Sequence, residues 1–538
     1  MTTPGSVDKP VDPSPIPTDI LDTNNPPAEY NHPALRAFVS RGSARRAFLD
    51  AKIAPLKAEL AKLLEEREPL DAEIRKHEGA LSPLRRMPVE IISLIFKFAA
   101  PFRSYVMNVK EGPWVLSAVC SRWRTIALSQ PSLWNGFVLD FTEDPDSPGS
   151  AGRIFPLVEA HLERSQKLPL TIIFSPFHEI ECTEEEQALL DLLAAHCDRW
   201  ETVELYGSIL LYDTLIGSIY GRLPILHKLD IRVCPQLNEQ DDEPEVDISD
   251  LFAACPALQE VFINGGRYGG DIPVIADLPC AQLLRYSASN HWPNHVRVLT
   301  SAVNLVDCVL RLIDPVRVPA PGSPIVLLPR LRRLSTSTAA VLDYLETPVL
   351  QELYCCDHSS SLHSYLKRVP TLQRLFVADT QSAADIGSLL HAALTITNLF
   401  LYVPISFAPD LFALLENPTP PVDGQPATLP ALDTLSLCLI PLDHTLGGPL
   451  DEDYLMRTVE AQFQRGSLRS LHLYAMKFTP SATTLRRIKA LREQGMQIVL
   501  YERSNSLYSE MVSPDFQLYT DQFFLYEIAV RGKEGIVD

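Results

Sequence analysis

Three rhythms of apolar and polar residues succeed one another along this chain. In the first, Leu49, Ile53, Leu56, Leu60, Leu63, Leu70 and Ile74 recur at alternating steps of four and three, with Arg67 at the one broken position. That is the heptad seam of an amphipathic helix, placed by the pattern over residues 34–80, and Lys57, Glu59, Lys62, Glu65 and Glu66 supply its polar faces. Pro55 and Pro69 each remove a backbone donor and crowd the preceding turn, so the helix is predicted to start near Pro55 and to kink or restart near Pro69. A seam of this length suits a homodimer, and it suits packing within its own chain as well. Residues 1–33 are rich in Pro, Asp, Thr and Asn and hold too little apolar surface to offset their ordering entropy; they are expected to form a disordered leader.

The second rhythm fills residues 81–139. Pro88 suits a first helical turn, Glu90 complements the helix dipole there and Pro101 is a stop, which predicts a helix from Pro88 to Phe98 or Ala99. Val89, Ile91, Ile92, Leu94, Ile95, Phe96 and Phe98 surround nearly the whole of it, so it must be covered on two sides. A small module can cover only one, and the other implies a second protein surface. The next helix carries Leu116, Val119, Cys120, Trp123, Ile126 and Ala127 as one core-facing stripe, and Leu133 and Trp134 close the module after the Pro131 turn.

After an acidic, proline-containing linker at 140–152, the third rhythm alternates apolar helical segments with short phrases of the form Leu-x-x-Leu-x-Leu. Leu226, Leu229 and Ile231 form one phrase, Leu258, Val261 and Ile263 another, followed by Leu372, Leu375 and Val377, by Leu432, Leu435 and Leu437, and by Leu468, Leu471 and Leu473. Such units hold one strand and one helix, as in leucine-rich repeats. Only Cys234 falls where a turn-satisfying Asn or Cys belongs, with Gly266, His358 and Thr380 at comparable places, so the array is expected to be irregular. The fold class read from these patterns is α/β: an irregular leucine-rich-repeat-like solenoid over 153–503, preceded by a small all-α module and an N-terminal amphipathic helix. The array is expected to begin by about residue 155, and residues 504–538 to form a cap or tail.

The second rhythm also carries a resemblance. Leu81-Ser-Pro-Leu-Arg-Arg-Met-Pro-Val-Glu-Ile-Ile92, then Val119-Cys-Ser-Arg-Trp-Arg124, then Pro131-Ser-Leu-Trp134 closely resembles the F-box, in particular that of the F-box proteins of mushroom-forming fungi, where a heptad-like helix runs straight into the box. Met87 replaces the usual Leu before the proline, and the stretch from Phe102 to Pro113 is longer than in short versions. The resemblance implies docking to a Skp-type adaptor, and through it to a cullin complex. By position it assigns Leu84, Pro88, Ile91, Ile92, Ile95 and Phe96 to the adaptor-facing turn and helix, and Leu116, Val119, Trp123, Ile126 and Trp134 to the box core.

Composition and charge narrow the partners. A chain of 538 residues exceeds what one core supports unless part of it is a stacked repeat. With a formal charge of -20 it repels phosphate backbones and anionic lipid, so neither nucleic acid nor a membrane is an expected partner. The ten cysteines show no CxxC pair, no apolar run reaches the length of a membrane span and no signal sequence opens the chain, which together predict an intracellular protein of cytosol or nucleus with reduced thiols. His291 with His295, and His358 with His363, read as surface pairs, Gly265 to Gly270 as a turn, and Glu184 to Glu186 and Asp241 to Glu243 as solvated acidic patches. No catalytic set, metal site or cofactor is predicted. The function expected is that of a non-catalytic substrate receptor in a Skp-cullin-F-box ubiquitin ligase, its repeats binding an unidentified target protein. The alternative is a non-ligase interaction scaffold, dimeric through the N-terminal helix.

Overall fold

The computed structural model describes residues 28–100, 104–106, 108–140, 150–175, 184–207, 215, 217–233, 252–265, 278–313, 322–355, 359–377, 389, 392, 395–416, 431–440, 450–466, 468–476 and 480–503. The leader up to residue 27, Cys234, Gly266, His358, Thr380, the Asp241 to Glu243 patch, most of the 140–152 linker and the tail from 504 lie outside the described residues. The fold is mixed α/β with a large parallel sheet. The chain divides into two compact units, 1–92 and 93–538.

The first unit is dominated by one helix, His32–Leu81, of 50 residues. It runs unbroken through Pro55 and Pro69, where the sequence predicted a start and a kink. The physical reason is exposure. A helical proline strips the carbonyl four residues back of its donor; here those carbonyls belong to Ala51 and Glu65, both exposed, so water satisfies them. No residue of the helix is buried. Pairs one turn apart, such as Arg67 with Asp71 at 3.1 Å and Lys76 with Glu73 at 2.7 Å, support it locally. It ends at Ser82, whose extended backbone precedes Pro83.

The second unit is built on a sheet of fifteen described strands, all parallel, whose order across the sheet follows their order along the chain. It starts at Ser104–Tyr105, pairs that strand with Gly136–Asp140 and then with Leu170–Ser175, and ends at Gln497–Arg503. The sheet therefore begins within residues 81–139, ahead of the array that is expected to begin by about residue 155. Each Leu-x-x-Leu-x-Leu phrase supplies one strand. Its second and third apolar residues point to one face, and successive phrases stack in register, as in Leu229, Val261, Tyr286, Cys308, Leu334, Leu353, Leu375, Leu399, Leu435, Leu471 and Ile498. All of these are buried and belong to one continuous core, which also takes in residues of the described return segments such as Val158, Leu189, Val298, Leu411, Leu455 and Ile488.

Just before each strand a second regularity appears. The carbonyl of His227 accepts from the amides of Gln259 and Glu260, that of Gln259 from Leu284 and Arg285, that of Leu284 from Val306 and Asp307, and the pattern continues through Gln351, Gln373 and Thr397 to Asp433. Register between units is thus fixed by backbone alone, and this leaves the return segments free to vary. Where units are short, the return is the 3-10 turn Ala339–Tyr344 and a two-stranded pair of Val326–Leu327 with Leu345–Glu346. Where they are long, it is a full helix: Ala408–Glu416, Glu452–Gln464 or Ala482–Glu493.

Candidate protein-docking site

The helix Val89–Ala99 starts after Pro88, whose carbonyl accepts the amide of Ile92 at 3.2 Å, and the amide of Ala100 still bonds Phe96 beyond its last residue. The chain's division into two units falls within it, after Ile92. Its two faces separate sharply. Ile92 and Phe96, four apart, are 1% and 0% exposed, while Ile91, Leu94, Ile95 and Phe98, at steps of three, one and three, are 41–82% exposed. Before the helix, Leu84 and Pro88 are exposed as well. The assignment of all six residues Leu84, Pro88, Ile91, Ile92, Ile95 and Phe96 to one partner-facing surface is therefore corrected: Ile92 and Phe96 are already buried in the chain and have no surface to offer. Leu94 and Phe98 belong to the open face instead. Their spacing from Ile91 and Ile95 was the signal that could have found them.

Behind Phe96 stands Trp123, edge-on with ring centroids 4.9 Å apart, and Gln130 Nε2 donates to the Ser93 carbonyl at 3.2 Å. The predicted single helix after residue 111 is in fact two, Gly112–Val119 and Ser121–Leu128, separated by Cys120 in an extended conformation. Cys120 Sγ accepts the amide of Trp123 at 3.5 Å and so caps the second helix. This break turns the expected stripe: Ile126 is buried and Leu116 and Trp123 are half-buried, but Val119 is 57% exposed and is not a core residue. Gly112 opens the first of the two helices at φ +60, a conformation that costs other residues strain.

Trp134 closes the module. It is fully buried, and its Nε1 donates at 2.9 Å to the Ala127 carbonyl at the end of the second helix. Trp114 and His161 stand edge-on or tilted about it, each with its ring centroid 5.0 Å from that of Trp134, and the Arg164 guanidinium lies 4.4 Å from the Trp134 ring and 4.6 Å from the Trp114 ring. His161 and Arg164 belong to the helix Ser150–Arg164, so this cluster ties the small helices to the sheet region. Burial holds the His161 imidazole down to about 4, against the raising effect of a hydrogen bond it donates to the Trp134 backbone, so it is neutral near pH 7.

On the sheet face opposite the leucine rows, sequence reading found nothing, and the register reveals two rows. Lys228, Glu260, Arg285, Asp307, Arg333, Glu352 and Arg374 lie side by side on consecutive strands with alternating sign. Arg285 bonds Asp307 at 3.1 Å and approaches Glu260 at 3.4 Å; Arg333 Nε reaches Asp307 at 2.6 Å; Arg374 and Glu352 are 3.4 Å apart. The hydrogen bond to Asp307 raises the Arg333 pKa. In the neighbouring row Tyr354, Phe376 and Phe400 line up, the last two stacked at 4.4 Å. Each charged residue immediately precedes the second apolar residue of its unit, so aligning the phrases by that residue would have exposed the row.

Two further expectations are corrected. His295 is fully buried, not a surface residue: the helix Trp292–Leu299 turns it inward, where Nε2 donates to the Arg311 carbonyl at 3.1 Å and Nδ1 accepts from the Tyr286 hydroxyl at 3.2 Å. Glu186, placed in a solvated patch, is 1% exposed because the helix Glu184–Ala194 lays it against the core. Among the described residues no group of three or more His, Cys, Asp or Glu is placed to hold a metal ion, and no helix is long and apolar enough to cross a membrane. Of the described cysteines, Cys120 is exposed and Cys197, Cys255, Cys280, Cys308, Cys355 and Cys438 are buried. No protein-family model matches the chain, and no curated protein matches it.

Proposed function

We propose that this chain is the substrate-recognition subunit of a Skp-cullin-F-box ubiquitin ligase, with residues 81–139 acting as the F-box. The observation that carries the reading is the helix Val89–Ala99: one face is already buried in the chain, and the other presents four large apolar side chains to solvent. A face of that kind favours a protein partner. The F-box resemblance of the surrounding residues says which partner, a Skp-type adaptor. The in-order parallel sheet and its repeating backbone bonds support reading the rest of the chain as an irregular leucine-rich-repeat-like solenoid. Its charged and aromatic rows are where a target protein would be recognised. The chain's contribution would be proximity, bringing target lysines to a conjugating enzyme while carrying out no covalent step itself.

The test is co-expression of the full chain with a Skp-type adaptor, followed by size-exclusion chromatography. Co-elution is expected, and Ile95→Glu or Phe98→Glu should abolish it without lowering the melting temperature, since both residues are exposed. Ile92→Asp is unsuitable for this purpose, because it places a charge at a buried position and tests folding instead. Failure of the folded wild-type chain to co-elute would overturn the ligase reading and favour a non-ligase interaction scaffold.

A further inference from the structure

We infer that the helix His32–Leu81 pairs with the same helix of a second copy of this chain, in antiparallel orientation, with residue 35 of one opposite residue 74 of the other. The inference is independent of adaptor docking. Its starting point is the seam: Val39, Leu49, Ile53, Leu56, Leu60, Leu63, Leu70 and Ile74 are each 41–65% exposed, on a helix without a single buried residue. From Val39 to Ile74 the seam spans about five heptads, interrupted at Gly42, Arg46 and Arg67. Pro55 and Pro69 are two heptads apart and so occupy the same position of the repeat, off the seam.

The charges beside the seam select the occupant and its direction. One edge reads Arg45, Lys52, Glu59, Glu66 and Glu73, and the other reads Arg36, Asp50, Lys57, Asp71 and Glu78, basic toward the start and acidic toward the end. In a parallel, in-register pair each residue of the first edge meets the residue five later on the second edge of its partner. That sets Lys52 against Lys57, Glu66 against Asp71 and Glu73 against Glu78, and it buries Arg46 and Arg67 against their own copies in the seam. Only Arg45 with Asp50 is favourable. Reversing one helix reverses the outcome. With 35 opposite 74, each edge meets its own copy, and Arg45 faces Glu66, Lys52 faces Glu59, Asp50 faces Lys57 and Arg36 faces Asp71, every pair of opposite sign and each made twice by symmetry. Within the seam Leu49 then meets Leu60 and Ile53 meets Leu56, Arg46 lies along Leu63, and Arg67 falls opposite Gly42, where the missing side chain leaves it room. Sliding the pair by two heptads, to set 42 opposite 81, brings Glu59 against Glu66 and Asp50 against Asp71.

Sedimentation equilibrium of the full chain, without adaptor, tests this. A species of twice 60.0 kDa is expected, and Leu56→Glu with Leu60→Glu should return it to monomer with the sheet's melting transition unchanged. Direction is read from one charge. Lys52→Glu sets glutamate against Glu59 in the antiparallel pair and should weaken association about tenfold, and adding Glu59→Lys should restore it. In a parallel pair the same Lys52→Glu would relieve the clash with Lys57 and tighten association. A wild-type chain that stays monomeric, or a Lys52→Glu variant that associates more tightly, overturns the inference.

Discussion

The N-terminal helix and the sheet are made from the same residues and treat them in opposite ways. Leu56, Leu60 and Leu70 of the helix are 57–65% exposed, whereas Leu353, Leu375 and Leu399 of the sheet are 0–2% exposed. Both sets are periodic, and period tells which residues share a face, not what covers that face. In the sheet the cover is supplied within each unit, because a parallel strand cannot reach its neighbour without a return segment that passes over the leucine row. A helix of 50 residues has no such neighbour built into its own connectivity.

The largest effect that can break this contrast comes from truncating one leucine of each kind. Leu375→Ala leaves a cavity in the continuous core and should cost about 2–5 kcal/mol, read as a clear fall in melting temperature. Leu60→Ala removes no buried contact of the described chain, so the sheet's transition should stay where it is while self-association weakens. Equal falls in melting temperature for the two variants would mean that the helix is part of the same cooperative core, and the contrast would be gone.

Acid sharpens the same contrast. His161 and His295 are both held down to about 4, first by desolvation, from an ordinary 6.5. The native chain keeps them neutral while the unfolded chain protonates them, so the stability they favour is complete above pH 6.5 and is lost as pH falls from there to about 4. Each contributes about 3 kcal/mol over that window by linkage. Thermal melts from pH 7 to pH 4 should show the sheet's transition falling steeply, and His161→Phe should flatten part of the slope. The helix, with no buried residue, should keep its circular-dichroism signal through the window.

How much of this was legible in the sequence differs between the regions for physical reasons. The N-terminal helix and the phrases Leu372 to Val377 and Leu432 to Leu437 follow from period alone, and their helix and strands fall where the period puts them. Faces that depend on a break in the period were lost: the extended Cys120 splits one expected helix into two and turns Val119 outward. Ile92 and Phe96 could not be assigned to the inner face of their helix, because its polar stripe of Glu90, Ser93 and Lys97 is flanked by apolar residues on both sides and does not say which side is covered. The alternating charges from Lys228 to Arg374 are far apart in the sequence and adjacent only through sheet register, so they emerge only when the phrases are aligned by their second apolar residue.

The smallest expected effect concerns how helices begin. The long helix opens at Asn31 with no side-chain cap, while Ala482–Glu493 opens at Ser481, whose Oγ accepts the Thr484 amide at 3.2 Å. Ser481→Ala should therefore cost about 1 kcal/mol, and Asn31→Ala should cost nothing measurable. Aspartate, ordinarily as good a cap as serine, should not substitute at 481. Glu452 Oε2 already accepts the Ser481 amide at 2.9 Å and the Thr484 hydroxyl, so a second carboxylate would sit beside the first. Melting temperatures of Ser481→Ala, Ser481→Asp and Asn31→Ala check the point: Ser481→Asp should melt no higher than Ser481→Ala. A Ser481→Asp variant as stable as wild type would show that the Glu452 contact does not hold this helix start to the preceding unit.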